Sequence, residues 1–413
     1  MSDLKSVVAT LAELSRSYHL TGLEAQPPSL KTSDFAGPVL FSNDPVVSSV
    51  PPAFFTVNTL QELKALGGVP DSQYGPAGMA EHHPLPDPFD AQRLVKVSGN
   101  HADLCKAFRA YMFGNSQRVS DYQDILNAKR FPMQVAIFVG NNLTVSPGKP
   151  LIVEDKEGHG NPVVVVYDSI TVEPGGQIIY RTNGMVKAQN MNVHGSSQYV
   201  IMNQGKDGVY GVYGASGGHG AEGASGTPGE EKKHTCVTSA TSGSDGTPGT
   251  PGGHGSHGAN GGGAHDVNIS VVELSGNITA FMSGGNGGLG GAGGNGGNGG
   301  NGGNGGAPTS KCAAGDGGNG GNGGNGGNGG DGGKGGNSGN FYVTYESGNP
   351  SFKASAVGGL GGRGGKAGVG GTGGNGGTGK KPGNYGIAGR AGTGGNGGQA
   401  GEAGKMFVNN RQQ

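Results

Sequence analysis

The sequence has no tryptophan and few apolar residues of any kind. Only 32% of its 413 residues are hydrophobic, and no stretch approaches the roughly 18 consecutive apolar residues of a membrane-spanning helix. One conventional hydrophobic core running through the whole chain is therefore excluded. Residues 1–20 have the pattern of an amphipathic helix rather than of a signal peptide. We expect no membrane span and an export route that does not use a recognisable signal peptide.

The chain also lacks an excess of charge of one sign. Its 28 lysines and arginines nearly balance 29 aspartates and glutamates, which leaves a formal net charge of −1. A nucleic-acid partner or an anionic membrane surface would favour a strongly basic protein. The composition therefore predicts that neither is a partner.

Catalytic motifs are scarce. The string GASGG at 214–218 matches the nucleophile elbow of hydrolases, but it lacks the strand-to-helix turn that exposes the serine. Gly379-Lys380-Lys381 lacks the Ser or Thr of a phosphate-binding loop. Four histidines favour a solvated surface over a metal site, although a folded-back hairpin could bring two of them together: His219, His254, His257 and His265. We expect no enzymatic activity, no cofactor and no metal.

Glycine is the abundant residue, with 94 copies. From residue 205 it recurs at every third position in three stretches, 205–264, 284–339 and 358–404, each of which reads as two matched arms joined by a glycine-poor tip. Period three is typical of the polyproline-II helix, which has no internal hydrogen bonds, so its amides need partners on neighbouring arms. A collagen triple helix and a flexible linker are the alternatives. The scarcity of proline disfavours collagen, and the maintained phase disfavours a linker.

Short strands with tight turns recur outside the glycine stretches. The first three begin 27 and then 21 residues apart, which is typical of successive rungs of a β-solenoid, and the next two follow after 80 and 72 residues. Their sequences are LTVSPGKPLIV (143–153), ITVEPGGQIIY (170–180), MNVHGSSQYVIM (191–202), VVELSGNITAFM (271–282) and VTYESGNPSFKA (343–354). The predicted fold is mainly β: solenoid rungs with three inserted polyglycine-II hairpins, forming a six-helix glycine bundle, after a small mixed α and irregular N-terminal region.

Four regions follow from this organisation. They are an N-terminal helix or arm (1–25), a mixed domain (26–133), solenoid rungs (134–204) and glycine hairpins alternating with rungs (205–413). The mixed domain has helical patterns near 59–66 and 101–112. The first helix has one apolar face and a candidate cap at Ser2 and Asp3; the apolar positions are Leu4, Val7, Val8, Leu11 and Leu14. This helix either packs on its own domain or docks on a neighbouring subunit.

Three cysteines occur. Cys105 falls in a helical pattern and is expected to be a buried free thiol. Cys236 lies in the first tip and Cys312 in the second, so rungs stacked in register would place them together. They then form either a disulfide that closes a loop of about 75 residues or a pair of reduced thiols. A disulfide would indicate an oxidising, extracellular setting.

The GGNGGNGG arms with variable tips resemble the polyglycine-II sandwich of tail-fibre adhesins from T-even bacteriophages and, more distantly, the springtail antifreeze proteins. The resemblance covers 205–404. It implies that the tips at 230–241, 307–314 and 380–385 contact a cell-surface receptor. The candidate contact residues are Glu230, Glu231, Lys232, Lys233, His234, Thr309, Ser310, Lys311, Lys380, Lys381, Asn384 and Tyr385.

Two classes of function remain open. The first, which we favour from the sequence, is a structural protein that self-assembles into a filament, coat or array through its N-terminal arm and glycine-rich part. The second is a binding protein, either an adhesin that uses its tips or an ice-binding protein that uses regular Asn and Thr rows. We expect a homo-oligomer or polymer, located outside the cell or in a particle.

Overall fold

The computed structural model describes residues 7–76, 78–194 and 199–413. Leu4 and the candidate cap at Ser2 and Asp3 lie outside the described residues. The described residues contain five α-helices, all before the main strands: α1 (Val7–Ser17), α2 (Leu60–Gly67), α3 (Ala91–Val95), α4 (Ala102–Phe113) and α5 (Gln123–Arg130). Short 3-10 helices occupy Leu23–Ala25, Thr32–Asp34, Asp71–Gln73 and Ser116–Tyr122.

Helix α2 begins where its sequence provides a reciprocal cap. The Thr59 hydroxyl accepts the Glu62 amide at 3.2 Å, and the Glu62 carboxylate accepts the Asn58 amide at 3.0 Å. The first bond satisfies a backbone donor that the first helical turn leaves unpaired, and the second fixes the residue before the N-cap. Helices α2 and α4 confirm the helical patterns predicted near 59–66 and 101–112.

Sixteen strands occur in the described residues. Before α2 lie β1 (Ser29–Lys31), β2 (Val39–Ser42) and β3 (Ala53–Val57). The central strands are β4 (Met133–Val145), β5 (Leu151–Glu154), β6 (Val163–Val172), β7 (Ile178–Tyr180), β8 (Gly184–Val193) and β9 (Ile201–Gln204). The remaining strands are β10 (Glu230–Lys232), β11 (Thr235–Thr238), β12 (Val267–Ser283), β13 (Phe341–Ser347), β14 (Ser351–Val357), β15 (Met406–Val408) and β16 (Arg411–Gln412).

The predicted fold class, a β-solenoid with a glycine helical bundle, is wrong. In the part of the chain that the structure describes, every strand except the small β10–β11 pair belongs to one 14-stranded, mainly parallel sheet, curved as a half-barrel. Strand β12 shows why the rung pattern misled. VVELSGNITAFM, predicted as two strands around a turn, lies inside one 17-residue strand, because Gly276, with φ of 95°, lets the chain continue. The first half of β12 pairs with β8 and β13, and the second half pairs with β9 and β14. Strand β12 therefore connects the strands β4, β6 and β8 on one side of the sheet with β5, β7 and β9 on the other.

Two cores stabilise this body. One lies within the curve of the sheet, where alternate strand residues meet and Phe41 stacks on Phe138 with ring centroids 4.0 Å apart. The other lies between the sheet and the N-terminal helices. Leu14 of α1 is 3% exposed in the second core, whereas Val8 is 72% exposed. The described part of α1 therefore packs on its own chain.

Six glycine segments leave this sheet in pairs and return to it. We number them segment 1 (205–229), segment 2 (241–264), segment 3 (284–306), segment 4 (315–339), segment 5 (358–379) and segment 6 (383–404). The predicted six-helix bundle is also wrong, because the described helices all precede β4 and the segments are assigned to none. The segments are backbone without regular helix or strand pairing, and their hydrogen bonds run sideways to other segments.

The lateral bonds arrange the segments in two rows, with 1, 3 and 5 in one and 2, 4 and 6 in the other. Segment 3 illustrates the pattern. The Gly296 amide donates to the Val369 carbonyl of segment 5 at 2.8 Å, and the Gly297 amide donates to the Thr250 carbonyl of segment 2 at 2.9 Å. A Cβ on either glycine would overlap a neighbouring carbonyl group. The close approach of the segments therefore requires glycine at both positions.

The third residue of the same triplet, Asn298, completes the bonding. Its amide donates to Nδ1 of His219 in segment 1 at 3.0 Å, and its side-chain Oδ1 accepts the amide of Thr372 in segment 5 at 2.9 Å. All three amides of the triplet are therefore paired, each with a different segment. Asparagine thus bridges segments as well as facing solvent.

Candidate functional site

The three tips lie at the same end of the glycine segments. The first, 230–241, contains the antiparallel pair β10–β11, with Lys233 at the turn in a left-handed conformation, φ 28°. Every side chain from Glu230 to Val237 is exposed. This tip presents its charged residues on a short hairpin.

The second tip, 307–314, is bound to the first. Cys236 and Cys312 form a disulfide, with Cα atoms 5.0 Å apart and a separation of 76 residues in the chain. Cys312 is 3% exposed. The cross-link joins tips that belong to different hairpins, so neither moves independently of the other.

Glu231 adds a second connection between these tips. Its carboxylate accepts the Ser310 hydroxyl at 3.0 Å and the Lys311 amide at 2.8 Å. Hydrogen bonds from Thr309 and Ser310 lower the pKa of Glu231 below its ordinary value. The ionised Glu231 carboxylate therefore fixes the position of the second tip relative to the first.

The third tip, 380–385, lies against the beginning of segment 4. The Lys380 amide donates to the Gly315 carbonyl at 2.9 Å, and the Lys381 amide donates to Oδ1 of Asp316 at 3.1 Å. Tyr385 is 77% exposed. Because Gly315 and Asp316 directly follow the second tip, the third tip lies beside it.

The sequence-predicted residues thus fall into two contacting sets. Residues 230–234 meet 309–311 directly, and 380–385 are positioned by segment 4, where the Asn384 amide also donates to Oδ1 of Asn319 at 2.9 Å. Sequence reasoning missed Asp316, which orients the third tip. Its signal was an acidic acceptor at an asparagine position of the repeat, immediately after a tip.

A buried polar cluster joins the helices to the bases of the glycine segments. Arg109 of α4 donates through two nitrogens to the carboxylate of Asp266, both at 2.7 Å, and also to the carbonyls of Ala264, at 2.7 Å, and Ser338, at 3.2 Å. Burial would raise the pKa of Asp266, but Arg109, His83 and hydrogen bonds lower it below its ordinary value. Since Asp266 is fully buried, this cluster serves as a structural clamp.

Nearby histidines and a tyrosine extend the clamp. Nε2 of His83 lies 2.8 Å from the Tyr342 hydroxyl, and Nε2 of His82 lies 2.6 Å from the same oxygen. Burial lowers the pKa of His83 to about 3 and that of His265 to about 4. The imidazoles of His83 and His265 are therefore neutral at pH 7; the His83 side chain is buried, and His265 is half-buried.

The other residues with potential chemistry are dispersed. Nδ1 of His219, His254 and His257 accepts backbone amides of Asn298, Asn328 and Asp331 respectively, at 2.9–3.0 Å. Within the described ranges, no group of three or more His, Cys, Asp or Glu side chains is arranged to hold a metal ion. Cys105 is a half-buried free thiol whose pKa is raised by burial. Among the helices that the structure describes, none combines the length and apolar character needed to cross a membrane.

No protein-family model matches the chain, and no curated protein matches it. One solved structure is similar in part: a springtail antifreeze protein from Granisotoma rainieri, described as a bundle of nine polyproline type II helices whose crystal waters match the ice lattice. The identity is 28%, over 39% of this chain and 96% of that one, with a TM-score of 0.07. A similarity at that score shows neither the family nor the fold of the chain.

Proposed function

We propose that this chain is a non-enzymatic binding protein of the adhesin type, which presents its three tips to a cell-surface receptor. The observation that carries the proposal is the convergence of tips from three separate hairpins at one end, with the first two joined by the Cys236–Cys312 disulfide and by Glu231. Such a set of loops forms one continuous surface. Loops held by a rigid scaffold are the usual location of binding residues.

The glycine segments support this role by holding the tips away from the sheet. Segment 5, residues 358–379, could extend at most roughly 75 Å. The paired amides of the inner segments resist bending, because each bond that opens would leave a backbone donor unpaired. A rigid support lowers the entropic cost of ordering loops when a partner binds.

The resemblance of the GGN repeats to tail-fibre adhesins belongs to this proposal and specifies a receptor on a bacterial surface. An extracellular or particle-associated location agrees with the disulfide, because disulfides persist in oxidising compartments. An ice-binding role is less well supported. It would use the asparagine rows, whose Oδ1 atoms are already bonded to backbone amides.

The test is the binding of fluorescently labelled protein to a panel of intact bacteria, measured by flow cytometry. A tip variant carries Lys380→Ser, Lys381→Ser and Tyr385→Ser. A control variant carries Arg363→Ser, Lys366→Ser and Val369→Ser on segment 5, with the same loss of two cations and one large apolar group. We expect the tip variant to bind at least 10-fold less tightly and the control to stay within 2-fold of wild type. Equal binding by the tip variant and the wild type would refute the proposal.

Self-assembly is the second candidate, and the outer edges of the first row favour it. The amides of Gly364 and Ala367 in segment 5 have no acceptor in the described part of the chain, and the carbonyls of Tyr210 and Tyr213 in segment 1 have no donor there. A second copy stacked in the same register would pair these donors with these acceptors. It would also bring Arg363 beside Tyr210.

The second row opposes such stacking. Segment 6 has alanine at 388 and 391, where the repeat of segment 4 has Gly323 and Gly326. A Cβ on either glycine would overlap a carbonyl group of the adjoining segment 5. By the same geometry the two alanine methyls would meet the backbone of a stacked copy. Because the second row would clash although the first row could pair, a discrete particle is better supported than a stacked assembly.

Light scattering and negative-stain electron microscopy distinguish the two candidates. Self-assembly predicts filaments or sheets that disappear in Tyr210→Lys/Tyr213→Lys, since the new cations would face Arg363 and Lys366 of the next copy. The control, Val46→Lys/Val47→Lys, adds the same charge at exposed positions of the N-terminal region. Uniform single particles from the wild type would exclude self-assembly and leave the adhesin proposal in place.

A further inference from the structure

The tips carry an excess of positive charge at one end of the molecule. Within 230–241, 307–314 and 380–385 there are two acids, Glu230 and Glu231, and five lysines: Lys232, Lys233, Lys311, Lys380 and Lys381. All five lysine side chains are exposed, and none forms an ion pair within the described residues. The chain as a whole is nearly neutral, so this end differs from the average surface.

Two carboxylates at this end, those of Glu231 and Asp316, accept hydrogen bonds within the protein. The Glu231 carboxylate is occupied by the Ser310 hydroxyl and the Lys311 amide. Asp316, next to the second tip, accepts the Lys381 amide through Oδ1. These two carboxylates position the backbone at Lys311 and Lys381, and the three tips, with five lysines and two glutamates, keep a formal net charge of +3.

The same end has few apolar anchors. Val237, 55% exposed, and Tyr385, 77% exposed, are the only large hydrophobic side chains exposed on the three tips. Protein–protein interfaces usually depend on clustered aromatic and arginine side chains in well-packed pockets. Lysines act instead as mobile point charges that need no fixed partner geometry. The composition favours a partner recognised by repeated negative charge.

We propose that the tip end binds an anionic polysaccharide through Lys232, Lys233, Lys311, Lys380 and Lys381. The proposal rests on the adhesin function above and specifies the chemical class of its receptor. Carboxylate, phosphate or sulfate groups repeated along a glycan chain contact lysines from all three tips at once. The disulfide and Glu231 hold the lysines of the first two tips in a common frame, so binding orders little additional backbone.

The experiment measures binding to immobilised polygalacturonate, which carries one carboxylate per sugar, by biolayer interferometry at 50 to 300 mM NaCl. Fully methyl-esterified polygalacturonate provides an uncharged glycan of the same backbone. The tip variant is Lys232→Gln/Lys311→Gln/Lys381→Gln. The control variant is Arg363→Gln/Lys366→Gln/Arg390→Gln, which removes the same charge from segments 5 and 6. Circular dichroism and light scattering verify that both variants keep the wild-type fold and size.

We expect wild type to bind the charged glycan and not its methyl ester, with affinity that decreases steeply as salt increases. The tip variant should lose at least 10-fold in affinity and show a shallower salt dependence, whereas the control should lose less than 2-fold. Equal loss in both variants, or equal binding of the methyl ester, would overturn the proposal.

Cell binding separates this inference from the adhesin function. If the lysine variant binds bacteria as wild type does, while the Lys380→Ser/Lys381→Ser/Tyr385→Ser variant does not, the anionic ligand is refuted and the adhesin function stands. If both variants bind bacteria as wild type does, both proposals fail.

Discussion

The backbone amide of Thr372 donates a 2.9 Å hydrogen bond to the side-chain Oδ1 of Asn298, 74 residues earlier in the chain. The relationship recurs along segments 3 and 5 with the same separation, and along segments 4 and 6 with a separation of 65 residues. This hydrogen bond explains why asparagine is the third residue of the GGN repeat. Two glycines allow close approach, and the asparagine oxygen satisfies the one amide that the neighbouring carbonyls do not reach.

Replacing Asn298 should therefore expose the Thr372 amide. In Asn298→Leu this donor loses its acceptor, at a cost of about 1 kcal/mol in local stability, and we expect its hydrogen exchange to accelerate several-fold. Asn298→Asp, which keeps an acceptor oxygen, should exchange at nearly the wild-type rate. Hydrogen exchange followed by mass spectrometry on fragments containing Thr372 measures both. Identical exchange in the two variants would contradict the assigned role of the side chain.

Glycines at inner and outer positions should respond oppositely to alanine. A methyl group on Gly297 would overlap the Gly218 carbonyl, whereas one on Gly394 would lie 3.7 Å from its nearest neighbour, the Gly365 oxygen. Gly297→Ala should destabilise the protein by about 1–3 kcal/mol through overpacking. Gly394→Ala should be neutral or stabilising by up to about 1 kcal/mol, because it restricts the unfolded chain. Urea unfolding of both variants measures the difference. Equal changes in the free energy of unfolding would show that the close backbone contacts at Gly297 do not exclude a methyl group.

The Arg109–Asp266 pair should show strong coupling. Arg109→Met leaves Asp266 buried without its cation and should cost about 3–5 kcal/mol. Asp266→Asn removes the charge but keeps an acceptor for the Asn340 amide, which donates to Oδ1 of Asp266 at 2.6 Å. The double variant should consequently lose less stability than the sum of the single variants. Denaturant midpoints of the four proteins give the coupling, and simple additivity would argue against a clamp.

Stability should fall in mild acid because of His83. Its folded-state pKa of about 3, lowered by burial, lies below the value of about 6.5 expected in the unfolded chain. The unfolded state therefore binds a proton first, and stability is lost as the pH falls from about 6.5 towards 3. The slope from this group is at most about 1.4 kcal/mol per pH unit. His265, with a pKa of about 4, contributes in an overlapping window, and Asp266 contributes only below its ordinary pKa of 3.8.

Thermal unfolding from pH 8 to pH 4 tests this prediction. His83→Gln should flatten the decrease in Tm below pH 6.5, while His19→Asn, at an exposed position, should leave it unchanged. An unaltered profile in His83→Gln would mean that other groups control the acid sensitivity.

The sequence was most informative where residues of one type recur at a regular spacing. The recurrence of glycine at every third position identified the three stretches and their tips, and helical patterns located α2 and α4 within one or two residues. The fold class was wrong because short apolar runs around Gly276 read as two strands and a turn, whereas pairing with β8, β9, β13 and β14 holds them in one strand. Local patterns do not contain the register that joins strands into a single sheet.

The candidate site divides in the same way. The glycine-poor interruptions of the repeat picked out the three tips and the two cysteines within them, and the resemblance to tail-fibre adhesins implied their contact role. Their contacts depend on segments paired 65 to 79 residues apart, as in the bonds from Ser310 to Glu231 and from Lys381 to Asp316. The sequence by itself determined that glycine must occupy closely packed backbone and that charge collects at the tips, because both are properties of residue type. Only the tertiary structure decided which segments are neighbours, since lateral hydrogen bonds between distant residues select that arrangement.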